Sequence, residues 1–140
     1  YNFEKLEHAV RLVRAGARLI GTNPDLTGPV EGGIVPATRA LIAPIELATG
    51  KQAYFIGKPN PLMMRHAQSR LKASPEDTVI IGDRMDTDVV AGIESIMDTV
   101  LVLSGVTSLE GMATYPNQPH YVLRGVGDIP AGAEPVRVRP

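Results

Sequence analysis

The segment Gly82-Asp83-Arg84-Met85-Asp86-Thr87-Asp88 places three carboxylates within seven residues. A hard divalent cation such as magnesium is held by one or two carboxylates together with water and phosphate oxygens, so this spacing suits a metal site. Asp83 follows an apolar run directly and is the carboxylate expected to face a crevice. The same residues also suit plain structural work, Asp83 capping a turn and Thr87 or Asp88 capping the next helix. Gly57-Lys58-Pro59 sets an ammonium at a helix start, where backbone amides favour an anion and disfavour a cation. Lys58 is therefore either a surface lysine in a turn or a group that meets a shared anion. Thr22-Asn23-Pro24-Asp25 is turn chemistry first, with a substrate contact as its alternative. Carboxylates and a lysine at neighbouring strand ends suit phosphoryl transfer, in which positioning and charge neutralisation supply most of the catalysis. His8, His66 and His120 share no metal-ligand spacing. The absence of cysteine excludes a disulfide framework, a thiolate metal site and a thiol nucleophile.

The elements that must position these groups follow from periodicity. Phe3, Leu6, Ala9, Val10 and Val13 recur at helical spacing, so a helix is expected over Phe3–Ala15, stopped by Gly16. Ala17–Gly21 reads as a strand, Thr22–Pro36 as a long loop or small hairpin, and Ala37–Ala48 as a helix kinked or delayed by Pro44. Ala53–Ile56 is a strand and Pro61–Leu71 a helix, with the Met63-Met64 pair as core filler. Thr78–Ile81 is a continuous apolar run of the kind buried on both faces of a sheet, followed by a helix over Val89–Ile96 and a strand over Thr99–Leu103. A short helix over Ser108–Ala113, a strand over His120–Leu123 and an alternating edge strand at Val136–Arg139 complete the series. From Ala53 onward strands and helices alternate, which predicts an α/β fold with a mostly parallel sheet and functional groups at the carboxyl ends of its strands. The stretch before Ala53 has a different rhythm and suggests a second, smaller unit.

Composition narrows the classes further. The 140 residues carry 14 basic and 15 acidic side chains for a formal net charge of -1, which gives no attraction for nucleic acid. No apolar run reaches the roughly 18 residues of a membrane span, and the cysteine-free composition points to the cytosol. The 14 glycines and 12 prolines approach a fifth of the chain, so many tight connections join few elements. The opening Tyr1-Asn2-Phe3 is neither a signal sequence nor an initiator methionine.

Thr22-Asn23-Pro24-Asp25, Gly57-Lys58-Pro59, Gly82 to Asp88 and Leu101-Val102-Leu103-Ser104-Gly105-Val106, in this order and spacing, resemble the haloacid-dehalogenase-like (HAD) phosphatases of subfamily IIA, the NagD-like group. The resemblance runs from about Phe3 to Ile129. It implies a Rossmann-like HAD core with an inserted α/β cap, of which residues 1–52 would be the second half of the cap, 53–130 the second half of the core and 131–140 a tail. It implies a magnesium-dependent phosphomonoester hydrolase working through an aspartyl-phosphate on a small phosphorylated metabolite. Lys58 matches the catalytic third-motif lysine; Asp83 matches the fourth-motif metal ligand, and Asp88 the second acid of that motif, supporting the metal directly or through water. Asn23 and Asp25 match a cap loop on the substrate side. Asp86 lies at a variable position. The family's first motif, a strand ending in Asp-x-Asp-Gly, has no counterpart: the one Asp-x-Asp here, Asp86-Thr87-Asp88, precedes a helix. This chain is thus expected to be a carboxyl-terminal portion without the nucleophile, inactive alone within an active parent enzyme. The alternative is a non-catalytic HAD-fold module for binding or assembly, with a homodimer formed through the cap.

Overall fold

The computed structural model describes residues 1–129 and the short strand Val136–Arg137. It separates into two compact units, Tyr1–Gly57 and Lys58–Pro140.

In the first unit the expected amphipathic helix spans Phe3–Arg14 (α1). Asn2 caps it, its Oδ1 accepting the Lys5 N–H at 3.0 Å, while Glu4 and Arg11/Arg14 complement the two ends of the helix dipole. A two-residue strand, Ile20–Gly21 (β1), follows. The glycine- and proline-rich stretch after it resolves into a hairpin, Thr27–Val30 (β2) against Gly33–Pro36 (β3), with Val30 opposite Gly33 and Gly32 at φ +82° in the turn. Helix Thr38–Thr49 (α2) runs through Pro44 and ends at Gly50, whose φ of +67° supplies a left-handed stop. Strand Tyr54–Phe55 (β4) then pairs in parallel with β1, Ile20 opposite Tyr54 and Gly21 opposite Phe55. The compact units divide at Gly57/Lys58, five residues after the expected 52/53 break, with Tyr54 and Phe55 paired to β1.

In the second unit Asn60 caps helix Pro61–Leu71 (α3) through the Leu62 N–H at 2.9 Å. Strands Val79–Gly82 (β5), Asp98–Val102 (β6) and Tyr121–Leu123 (β7) lie side by side in parallel, and Val136–Arg137 (β8) adds an antiparallel edge. Residues 138–139 of the expected edge strand, and the rest of the tail beyond Ile129, lie outside the described residues. Between β5 and β6 the chain makes a π-helical turn over Met85–Val89 before the short helix Val90–Glu94 (α4); Leu109–Met112 (α5) connects β6 to β7. The fold is α/β with a mostly parallel sheet, as the alternation of elements predicts.

Packing in this unit depends on methionine, since tryptophan is absent and aromatics are few. Met85, Val89, Leu101 and Met112 form one cluster, and Met64, Ala91 and Met97 with Ile80 another. Of the Met63-Met64 pair only Met64 is buried, because consecutive helical residues point about 100° apart. Both clusters lie on the sheet face carrying Ile80, Thr99 and Leu101. On the opposite face Val79 and Ile81 are 50% and 43% exposed, so β5 is covered on one face, not on both as its apolar run predicts. Among the described residues β5 pairs only with β6, and both buried clusters lie on the face opposite Val79 and Ile81; Val102 of β6, on the same face as those two, is nonetheless buried. No described helix is long and apolar enough to cross a membrane.

Candidate functional site

The carboxyl end of β5 gives the three clustered carboxylates three different surroundings. Asp88 is buried, its side chain 6% exposed, and its Oδ1 accepts a hydrogen bond from the Lys58 ammonium at 2.5 Å. Its Oδ2 accepts the backbone N–H of Arg84 at 3.2 Å. The approach depends on Gly82, the last residue of β5: a Cβ there would fall on the Asp88 carboxylate. The π-helical turn carries Asp88 back over the strand end, a geometry that a plain helix starting at Val89 would not supply. Neither Thr87 nor Asp88 makes the expected cap hydrogen bond at the start of α4.

Asp83 lies between Gly82 and Arg84, the two residues that touch the Asp88 carboxylate. It is half-buried and held by a loop 23 residues later. Its Oδ2 accepts the Val106 N–H at 2.8 Å, and its carbonyl accepts the Thr107 N–H at 3.1 Å. Gly105 passes so close that a side chain there would overlap the Asp83 carboxylate. Asp83 Oδ1 accepts no hydrogen bond among the described residues, which leaves a hard oxygen donor of the kind a magnesium ion takes. Asp86 is exposed and turned to Arg84, which grips it through Nε–Oδ1 at 2.9 Å and Nη2–Oδ2 at 2.6 Å. That hydrogen-bonded guanidinium holds the Asp86 carboxyl below its ordinary range.

The structure thus brings Lys58, Asp83 and Asp88 together at one strand end. Each Asp88 oxygen accepts one hydrogen bond, from Lys58 and from the Arg84 N–H, while Asp83 Oδ1 accepts none among the described residues. No cluster of three or more histidines, aspartates or glutamates suited to a metal occurs among the described residues. A cation here would complete its shell with water and phosphate oxygens. Asn23 and Asp25 belong to the first unit, where Asn23 Oδ1 accepts the Asp25 N–H at 3.2 Å in the expected turn. His120 is tied to the sheet, its Nδ1 accepting the Thr99 N–H at 3.1 Å. The Val106 amide and Gly105 escaped sequence reasoning as part of the site. Their signal was a glycine shortly after the apolar run that ends at Leu103, at the same end of the parallel sheet as Asp83.

The family model described as HAD-hydrolase-like matches residues 55–129. The chain is 49% identical over 129 residues to a dihydroxyacetone phosphatase of Corynebacterium glutamicum, covering 92% of this chain and 47% of that protein. It is 40% identical to the Escherichia coli ribonucleotide monophosphatase NagD, whose structure superimposes with a TM-score of 0.83 over 92% of this chain and 50% of the other. A 4-nitrophenylphosphatase from Thermotoga maritima, 31% identical, superimposes with a TM-score of 0.89 over 96% of this chain and 52% of that one. The chain spans about half the length of the curated relatives it matches. By this family match over more than half of its length, and by these likenesses in sequence and fold, the chain belongs to the HAD-like hydrolases, in the NagD-like phosphatase group of subfamily IIA.

Proposed function

We propose that the protein is a magnesium-dependent phosphatase of small phosphomonoesters that works through an aspartyl-phosphate, with this chain supplying the lysine and the metal-binding carboxylate. The observation that supports it most is the Lys58–Asp88 pair beside Asp83, whose Oδ1 has no protein donor among the described residues. Asp88 holds the ammonium in place, and Lys58, 42% exposed at its side chain, retains N–H bonds to donate to a phosphate oxygen. Asp83 would hold the magnesium ion, which when bound neutralises phosphate charge. The nucleophilic aspartate has no counterpart among the motifs of this chain and would come from elsewhere in the enzyme. Its carboxylate oxygen would form the new bond to phosphorus as the ester P–O bond breaks, the leaving alkoxide taking a proton to depart as the alcohol; water then cleaves the acyl phosphate, giving inorganic phosphate and the free carboxylate. Asn23 and Asp25 are proposed to act on the substrate side. The cytosol is the compartment inferred, on the cysteine-free composition.

The test is hydrolysis of p-nitrophenyl phosphate by the full-length protein. Phosphate release is expected only with magnesium, with a loss on the order of a hundredfold or more in Asp83→Asn. Turnover that survives chelation, or that Asp83→Asn leaves intact, refutes the reading in favour of a binding module.

A further inference from the structure

We propose that a cleft at the amino ends of β6 and β7 binds a small organic cation, a primary amine on an apolar body. The cleft has a volume of about 770 Å³, within the range of small-molecule sites, and lies at the opposite end of the parallel sheet from Asp83. Ile93, Ile96 and Pro116 supply apolar walls, and Asp98, Gln118 and His120 supply polar groups. Those polar groups favour one sign of charge. His120 Nδ1 accepts the backbone N–H of Thr99 at 3.1 Å, so that nitrogen carries no proton and the neutral ring bears its hydrogen on Nε2. Asp98 Oδ1, 3.8 Å from the same Nδ1, therefore receives no hydrogen from it, and Asp98 has no other ion pair among the described residues. Gln118 donates through Nε2 to the carbonyls of Met112 and Tyr115, at 3.4 and 2.9 Å, which leaves its Oε1 as an acceptor. An unneutralised carboxylate and an amide oxygen beside apolar walls complement an ammonium group, whereas a phosphate ester would meet like charge. Ile96 adds an independent observation. Its φ of +58° costs a β-branched residue about 1–2 kcal/mol, and the chain recovers no burial from a side chain that is 78% exposed. Strain of this kind gathers at ligand clamps, and an apolar ligand body resting on Ile96 supplies the contact that the chain itself does not.

The experiment is titration of the full-length protein, its isoleucine methyl groups labelled for NMR, with phenethylamine and with phenylpropionate, which carries a carboxylate in place of the ammonium. Phenethylamine is expected to bind with a dissociation constant of about 1 mM, ordinary for so small a ligand, and to shift the Ile93 and Ile96 methyl signals. Phenylpropionate should bind at least about tenfold more weakly. Asp98→Asn keeps the shape of the side chain and removes its charge, and should weaken phenethylamine about fivefold. Ile96→Gly relieves the backbone and removes part of a wall. It should weaken phenethylamine about threefold while leaving the fold no less stable, a combination that a purely structural Ile96 would not give. Equal affinity for the two compounds, methyl shifts confined to other isoleucines, or an unchanged phenethylamine affinity in either folded variant overturns the proposal. If neither variant folds, the comparison of the two compounds on the unaltered protein decides it.

Discussion

Lys58 and Asp88, thirty residues apart in sequence, meet at 2.5 Å with very different exposures, 42% and 6% at their side chains. The two ends of the pair are therefore unequal in what their loss costs. Lys58→Met strands a buried carboxylate, and a destabilisation of about 2–3 kcal/mol is expected, below the usual figure for a fully buried pair because the ammonium side is solvated. Asp88→Asn leaves an ammonium that water can reach, and less than about 1 kcal/mol is expected. Urea unfolding of the full-length variants measures both; equal losses would contradict the asymmetry.

Gly82 ends β5 where a Cβ would meet the Asp88 carboxylate, whereas Gly28, in the hairpin strand β2, has nothing within 4 Å of the same position. Gly82→Ala should displace Asp88, destabilise by about 1–3 kcal/mol and lower phosphatase turnover. Gly28→Ala should leave both within error. Thermal unfolding and p-nitrophenyl phosphate assays on the pair of variants check the contrast.

Asp86 is held below the ordinary carboxylate range chiefly by its hydrogen bonds from Arg84. A carboxyl with a depressed folded-state pKa contributes stability above its unfolded value near pH 4, and that contribution disappears as the pH falls through the lower folded value. Arg84→Gln should therefore return the Asp86 titration, followed by carboxyl carbon NMR, toward its ordinary position. A titration left depressed in that variant would mean that another group holds it down.

Ile96, just after α4, has a φ of +58° and is 78% exposed. A β-branched residue in the left-handed region costs about 1–2 kcal/mol, and glycine there gives back about 0.4–1 kcal/mol through its freer unfolded chain. Ile96→Gly should raise stability by up to about 1 kcal/mol, seen as a small upward shift in melting temperature. A lower melting temperature would show that the exposed side chain makes a compensating contact.

Much of this protein was legible in its residue order. Helical spacing located α1 and α3, apolar runs located β5 and β6, and the alternation between them predicted a parallel sheet whose carboxyl ends carry Asp83 and the turn toward Asp88. These are local signals, set by the 3.6-residue helical repeat and by β-branched apolar runs, and they survive folding because packing agrees with them. Lys58, Asp83 and Asp88 were legible as candidates, since turn lysines and capping carboxylates read the same way and only their order along the chain carried the resemblance.

Only the tertiary structure shows what each of those groups touches. Whether Asp88 caps a helix, binds a cation or holds a lysine depends on what comes near it through space. Lys58 and the Arg84 amide do so because a π-helical turn and a glycine strand end let them. The Val106 amide on Asp83 left no signal beyond the neighbouring Gly105, since every residue but proline carries the same N–H and only the alignment of β5 with β6 brings this one to a carboxylate 23 residues away. The one-sided burial of β5 was hidden for a related reason: an apolar run states what a strand can bury, while the elements packed around it determine which face is covered.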